Sequence, residues 1–327
     1  MSARMPDRAM RTVLITGAGG FVGPHLVRAL TGAGASCVGL GIEPGPPPDA
    51  PLAAWRTVDL REAGAVADTV SEVRPDAIVH LAGQSSAARS FEDPAGTFQT
   101  NVLGLWNLLH AVQRAAPRAR LLVVGSSEVY GPQPDGSRTG EETPFAPVSP
   151  YALSKAAAEG LAEAHARGRG LDVVRVRAFS HTGPGQAPGF VVPSFARQIA
   201  AAEAGRAEPV LRVGNLEVTR DLSDVRDVVR AYLALLERGR SGVAYNVCRG
   251  AGVRLTEVLR LLVARARVAL RVEPDPARLR PADVPWLVGD PARITHDTGW
   301  QAEIPLEQTL DDVLEEWRGR SGGAGGG

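Results

Sequence analysis

The chain has 327 residues, with 36 Lys and Arg balanced by 36 Asp and Glu, and it is 44% hydrophobic. Zero net charge leaves no electrostatic footprint for nucleic acid or for an anionic membrane surface, and no apolar run approaches the roughly 20 residues of a membrane span. The length supports one large domain or two ordinary ones, each with its own core.

Thr12-Val-Leu-Ile-Thr16 is a short apolar run that reads as a buried parallel strand. It runs into Gly17-Ala-Gly-Gly20-Phe21-Val22-Gly23 and then an apolar-periodic helix to Leu30. Glycines at this spacing, between a strand and a helix, permit a tight turn, close approach of backbone to a pyrophosphate, and close helix–strand packing. The helix N-terminus that follows offers N–H groups and a positive dipole end to phosphates. The reading is therefore a dinucleotide-binding unit, with Gly17, Gly20, Phe21 and Val22 against the cofactor.

Ser36–Leu40 reads as the second strand. An acid just after it would bond the adenosine ribose and select NAD. Gly41 stands there instead, Glu43 follows two residues on, and no arginine comes directly after to hold a 2′-phosphate. The choice between NADH and NADPH stays open on this reading, and weak discrimination is expected. Trp55–Asp59 reads as a third strand that ends with Asp59 and Leu60 at the adenine edge. Ala77–His80 is the next, followed by Leu81, Ala82 and Gly83, small residues where a strand end passes under a cofactor; His80 reads as packing. Pro94–Ala115 reads as one long helix with an apolar face through Val102, Leu105, Leu108, Leu109 and Val112, and Asn101 within it serves local backbone.

Arg120–Val124 is a further strand, and Gly125-Ser126-Ser127-Glu128 lies at its C-terminal end, where open α/β sheets place ligands. A hydroxyl at Ser126 can donate to a substrate oxygen. Tyr151 and Lys155 follow in an Ala-rich stretch, four residues apart and so on one helix face. Lys155 is the chain's only lysine; every other position in its 36 basic residues is arginine. A compact ammonium is thus kept at one place where a planar guanidinium would not serve. Its charge is expected to favour the phenolate and lower the Tyr151 pKa, fitting Tyr151 for proton transfer. Leu171–Arg177 is another strand. Cys37 and Cys248 lie in apolar runs that read as strands and are expected to be buried thiols in a reducing, cytoplasmic compartment. The polar segment 1–9 and the Gly-rich segment 319–327 are expected to be flexible ends.

Gly17-x-x-Gly20-x-x-Gly23, Ser126 and Tyr151-x-x-x-Lys155 together resemble the extended short-chain dehydrogenase/reductase family, the nucleotide-sugar epimerases and dehydratases. That resemblance implies an α/β fold: a Rossmann-type doubly wound parallel sheet, residues 10–178 plus 221–249, binding NADPH or NADH. It implies a smaller C-terminal α/β part, residues 179–220 plus 250–318, for a nucleotide diphosphosugar. Ser126 would polarise the reacting oxygen, Tyr151 transfer the proton, and Lys155 tune Tyr151 and bond the nicotinamide ribose. A homodimer through a helix bundle is implied as well. Ser180 stands where the family commonly has Asn.

The blocks His181–Ile199, Glu208–Glu217, Arg220–Asp227, Tyr245–Cys248, Arg278–Pro285 and Gly299-Trp300 resemble, within that family, the GDP-4-keto-6-deoxy-D-mannose reductases. The resemblance implies a GDP-sugar substrate, with Arg220 and Arg280 on the diphosphate, Asp283 on a ribose hydroxyl, and Ser127, Glu128, Ser180 and Val191 toward the sugar. Two alternatives remain. Glu128 matches a glutamate of the related GDP-mannose 4,6-dehydratases, and a dinucleotide-binding domain can also sense NAD(P) without turnover.

Overall fold

The computed structural model describes residues 10–48, 50–279 and 283–322. Arg280 and the segments 1–9 and 323–327 lie outside the described residues. The first half alternates strand and helix: β1 (Thr12–Thr16), α1 (Val22–Gly32), β2 (Ser36–Gly41), β3 (Ala54–Thr57), α2 (Ala63–Val73) and β4 (Ala77–His80). Then come α3 (Ala87–Glu92), α4 (Pro94–Phe98), a π-helical turn (Gln99–Leu103), α5 (Gly104–Ala115), β5 (Arg120–Ser126), a 3₁₀ turn (Ser127–Tyr130), α6 (Pro150–Arg169) and β6 (Asp172–Ala178). The second half holds β7 (His181–Thr182), α7 (Val191–Glu203), β8 (Val210–Val213), β9 (Thr219–Asp221), β10 (Ser223–Asp224), α8 (Val225–Arg238) and β11 (Ala244–Val247). It closes with β12 (Gly252–Arg254), α9 (Leu255–Val263), β13 (Arg271–Pro274), β14 (Trp286–Leu287), α10 (Ala292–Thr298) and α11 (Leu306–Gly322).

Seven strands form one parallel sheet in the order β11-β6-β5-β4-β1-β2-β3. The strands are apolar on both faces, as a sheet covered by helices on both sides requires. Val13 and Ile15 of β1 face a core with Leu26, Val27 and Leu30 of α1 and Tyr232 and Leu235 of α8. Leu14 faces the other, with Val66 and Val70 of α2 and Leu105, Leu108 and Val112 of α5. Each such fully buried side chain contributes roughly 1.5–3 kcal/mol. A third apolar core joins Phe195 and Ile199 of α7, Val258 and Leu262 of α9, and Leu310 and Leu314 of α11. Strand order reverses between β1 and β4, which opens a crevice at their C-terminal ends, where this class of sheet binds ligands.

The structure departs from the sequence reading in four places. β3 stops at Thr57, and Asp59 lies beyond it, its carboxylate held by Arg61 Nε at 2.9 Å. Cys248 follows β11 instead of lying in it; both thiols are buried and free. The Pro94–Ala115 helix is interrupted by the π turn, which leaves Val102 only half-buried and turns Asn101 inward. α11 continues past Arg318 to Gly322, because Arg320 pairs with Glu316 one turn back at 2.7 Å and stacks on Trp317.

Candidate active site

The crevice is framed by two loops that touch. Gly17 has φ +69, and a methyl group there would sit 2.7 Å from the Ala82 backbone. A methyl on Gly23 would drive into the Ala18 carbonyl, so α1 starts tight against the turn. Phe21 caps that helix without a side-chain hydrogen bond; in the first turn Gly23 N donates to the Gly20 carbonyl at 3.1 Å and Pro24 carries no N–H. These features fit a dinucleotide pyrophosphate lying over Gly17–Gly20, with Val22 in the first turn behind it. Leu60 is buried beneath the expected adenine edge, and its carbonyl accepts from Asn107 Nδ2 at 2.8 Å.

Leu81-Ala82-Gly83 leaves β4 directly over the base of α6. A methyl on Gly83 would lie 3.3 Å from Lys155 Nζ, so the small residues here clear room above the ammonium. His80, buried below, bonds Thr16 Oγ1 at 2.8 Å and is held down to about 3 by burial and by Lys155, hence neutral. Its role is packing, as its place at a strand end suggests.

α6 begins where its sequence dictates. Ser149 accepts from Ala152 N at 3.1 Å as the N-cap, and Pro150 occupies the first turn. That start puts Tyr151 and Lys155 on the buried face, against the end of β5. Tyr151 faces Ser126, the last residue of β5, near enough for the serine hydroxyl to act on the phenol. Ser126 Oγ also accepts from Glu128 N at 3.2 Å. Lys155 Nζ donates to the Val124 carbonyl at 3.2 Å.

The electrostatics differ from the sequence expectation. The Tyr151 phenol is pushed well above its ordinary value, by burial first and then by the Glu128 carboxylate, with the Ser126 hydroxyl pulling the other way. Lys155 is pushed down to about 8 by burial. Counting the charge four residues away missed that desolvation outweighs it and that an anion lies across the site. The result is a phenol that holds its proton at neutral pH beside an ammonium that is still largely charged.

In the second half of the chain, Arg220 donates to the Val284 carbonyl at 2.6 Å and to the Thr219 carbonyl at 3.0 Å, and lies 3.6 Å from Asp283. Asp283 also accepts from Asn215 Nδ2 at 3.2 Å. The two candidates for diphosphate and ribose are thus brought together. Ser127 is buried, Glu128 and Ser180 are half-buried, and the Ser180 carbonyl accepts from Ser223 N at 3.0 Å. Val191 opens α7 and is half-buried.

Asn101 does more than serve local backbone. Its Oδ1 accepts from Gln84 N at 2.8 Å, and its amide donates to Gln84 O at 3.0 Å and Ser154 Oγ at 2.9 Å. It therefore pins the loop after Gly83 to the helix carrying Tyr151. The sequence signal is weak, since Asn101 is one of two asparagines, with Asn107, in the 94–115 stretch. Phe21 stacks on His181 with ring centroids 5.9 Å apart, which ties the glycine loop to the segment after β6. That contact spans 160 positions and had no sequence signal.

The chain was compared with known proteins. The family model described as GDP-mannose 4,6 dehydratase matches residues 14–313. The GDP-6-deoxy-D-mannose reductase of Pseudomonas aeruginosa is 39% identical over 309 residues, covering 94% of this chain and 97% of that protein. A GDP-mannose 4,6-dehydratase of Vibrio cholerae is 28% identical over 286 residues, 78% of this chain and 76% of its own length. Among solved structures, RMD from Pseudomonas aeruginosa complexed with NADPH superposes with a TM-score of 0.83 at 37% identity, covering 95% of this chain and 99% of that one. The Thermus thermophilus UDP-glucose 4-epimerase complex with NAD has a TM-score of 0.86 at 31% identity, covering 94% and 99%.

Proposed function

The chain belongs to the GDP-mannose 4,6 dehydratase family, and we propose that within it this protein is an NAD(P)H-dependent reductase, converting the 4-keto group of GDP-4-keto-6-deoxy-D-mannose to give GDP-D-rhamnose. The observation that carries the reading is the meeting of Tyr151 and Lys155, both on the buried face of α6, with the end of β5, where Tyr151 faces Ser126 and Lys155 Nζ donates to the Val124 carbonyl. Bound NAD(P)H supplies the hydride that reaches C4. Tyr151, protonated at the start, gives its proton to O4, so the carbonyl becomes a hydroxyl. Ser126 holds that oxygen, and Lys155 stabilises the phenolate left behind. A positioned acid of this kind contributes about 10²- to 10⁴-fold. Arg220 meets the diphosphate as a planar fork suited to phosphate oxygens, Asp283 accepts from a ribose hydroxyl, and Ser127, Ser180 and Val191 line the sugar.

The similarity to the Pseudomonas reductase over nearly both full lengths supports this reading over dehydration. Glu128 is the observation on the other side, since its carboxylate acts on Tyr151. The test supplies GDP-4-keto-6-deoxy-D-mannose with reduced cofactor and identifies the product by NMR. GDP-D-rhamnose formed one for one with cofactor oxidised is expected. Steady accumulation of the ketosugar from GDP-mannose alone would overturn the assignment, and the 6-deoxytalose epimer would overturn the stereochemistry.

The proposal includes a homodimer and a cytoplasmic location. Leu103 and Trp106, both 45% exposed, and Leu153 at 51%, stand on the helical layer of α5 and α6, an apolar surface suited to a second copy. Light scattering showing a monomer at micromolar concentration would reject it. Two free buried thiols suit a reducing compartment. Among the described residues no helix is long and apolar enough to cross a membrane. The division into 10–178 plus 221–249 and 179–220 plus 250–318 is also proposed, and the separate core of α7, α9 and α11 supports it.

A further inference from the structure

The end of β2 carries a carboxylate that strand register does not place there. β2 stops at Gly41, and an acid at the end of this strand is what bonds an adenosine ribose. Glu43 lies beyond it, yet its backbone is folded back onto β3: its carbonyl accepts from Trp55 Nε1 at 3.2 Å and Thr57 Oγ1 at 2.9 Å. The side chain is thereby carried over the glycine loop. A methyl on Gly19 would sit 2.9 Å from Glu43 Oε2, and one on Gly41 would collide with the same oxygen and lie 2.8 Å from the Trp55 ring. Two positions without side chains thus leave the space that this carboxylate fills, between the pyrophosphate loop and the end of β2.

We infer that Glu43 sets the coenzyme choice, accepting from the adenosine ribose hydroxyls of NADH and disfavouring the 2′-phosphate of NADPH. The inference rests on reading the chain as a dinucleotide-dependent reductase. A ribose diol presents two O–H donors, and a carboxylate has two oxygens to accept them. A 2′-phosphate presents negative charge and acceptors to those same oxygens. Arg56, the cation on the neighbouring strand, does not offset this: its guanidinium donates to the Trp55 carbonyl and lies 3.6 Å from Glu72 of α2.

The test is equilibrium binding to the full chain, read by nicotinamide fluorescence without sugar substrate. At low salt NADH should bind at least about tenfold more tightly than NADPH, roughly 1.4 kcal/mol. Raising the ionic strength should narrow the gap, because the penalty is electrostatic. Glu43→Gln should bring the two within about threefold, mainly by tightening NADPH. Equal binding by the wild-type chain, or a gap that Glu43→Gln and salt both leave intact, would overturn the inference while leaving the reductase reading standing. Binding of neither dinucleotide would overturn that reading, and the inference with it.

Discussion

Two successive turns of α6 hold buried charge in opposite ways. Near its start, the Lys155 ammonium is met by a neutral carbonyl, Val124 O at 3.2 Å, and burial lowers it to about 8. One turn further along, Glu159 is just as buried but is met by two guanidiniums, Arg175 Nη1 at 3.1 Å and Arg177 Nη2 at 2.7 Å. Arg177 goes on to Tyr130 OH at 2.8 Å and the Glu141 carbonyl at 2.7 Å, and Tyr130 OH donates to Asn246 at 2.7 Å. A cation whose field is not spent on a countercharge can stabilise negative charge that develops nearby, in this case on Tyr151. A charge already neutralised cannot, but breaking its network leaves a partner stranded. On the proposed reading, two neighbouring turns of one helix are split between chemistry and anchoring, and substitutions at the two turns should fail differently.

The largest expected effect is at the proposed chemical turn. Tyr151→Phe should lower kcat by about 10³-fold or more, roughly 4 kcal/mol. Nicotinamide fluorescence should show cofactor affinity within about twofold of wild type, and urea unfolding a loss of no more than about 1 kcal/mol, the worth of one hydrogen bond. A variant that keeps a tenth of its activity would mean that another group delivers the proton. At the anchoring turn, Glu159→Gln should cost about 3 kcal/mol of stability, because it leaves Arg177 buried without its carboxylate. Its kcat, measured where the variant is folded, should fall by less than about tenfold, about 1.4 kcal/mol. A urea midpoint that hardly moves would erase the contrast between the two turns.

Lys155→Arg sharpens the comparison by keeping the charge and changing its shape. The guanidinium is bulkier and its fork cannot sit under Gly83 as the ammonium does, so kcat should fall more than about tenfold. The pH profile adds a signature that a packing defect would lack. The ammonium is present below a pKa of about 8 and lost above it, while Tyr151 stays protonated, so wild-type kcat should decline as pH rises through about 8. That limb should vanish in Lys155→Arg, whose guanidinium does not titrate in the range. A wild-type rate flat to pH 9.5 would show that the ammonium is not needed as a charge.

How much of this was legible depended on how far each feature reached along the chain. The strand–glycine–helix unit could be read because its demands are local: a left-handed Gly17 and a Gly23 with no room for a side chain. Tyr151 and Lys155 could be read because helical spacing puts them on one face. Glu43 could not, because register stops at Gly41 and the fold-back depends on Trp55 and Thr57, 12 and 14 residues later. The Tyr151 pKa was misjudged for the same reason: its burial, and Glu128 opposite, are products of the tertiary fold. The pairing of β8 with β13, such as Leu211 with Val272, lies outside any local pattern. Arg220 and Asp283 were reached through resemblance and not through spacing.

The smallest expected effect concerns the anion that faces Lys155 across Tyr151. Glu128 begins the turn after Ser126, where its backbone N–H donates to the serine hydroxyl, and its charge raises the Tyr151 pKa. In a reductase it need not carry a proton. Glu128→Gln keeps the backbone bond and the side chain's shape and removes only the charge. Tyr151 then becomes a slightly stronger acid but remains protonated at assay pH, because burial is the larger cause of its shift. Ketosugar reduction should stay within about threefold of wild type, less than about 0.7 kcal/mol. In a dehydratase the same carboxylate would take the C5 proton, and the amide could not. Turnover of GDP-mannose by the wild type that Glu128→Gln abolishes would therefore move the chemistry from Tyr151 alone to the Tyr151–Glu128 pair, whereas a near-neutral effect on ketosugar reduction would show that burial alone suffices to keep the proton on Tyr151 until hydride arrives.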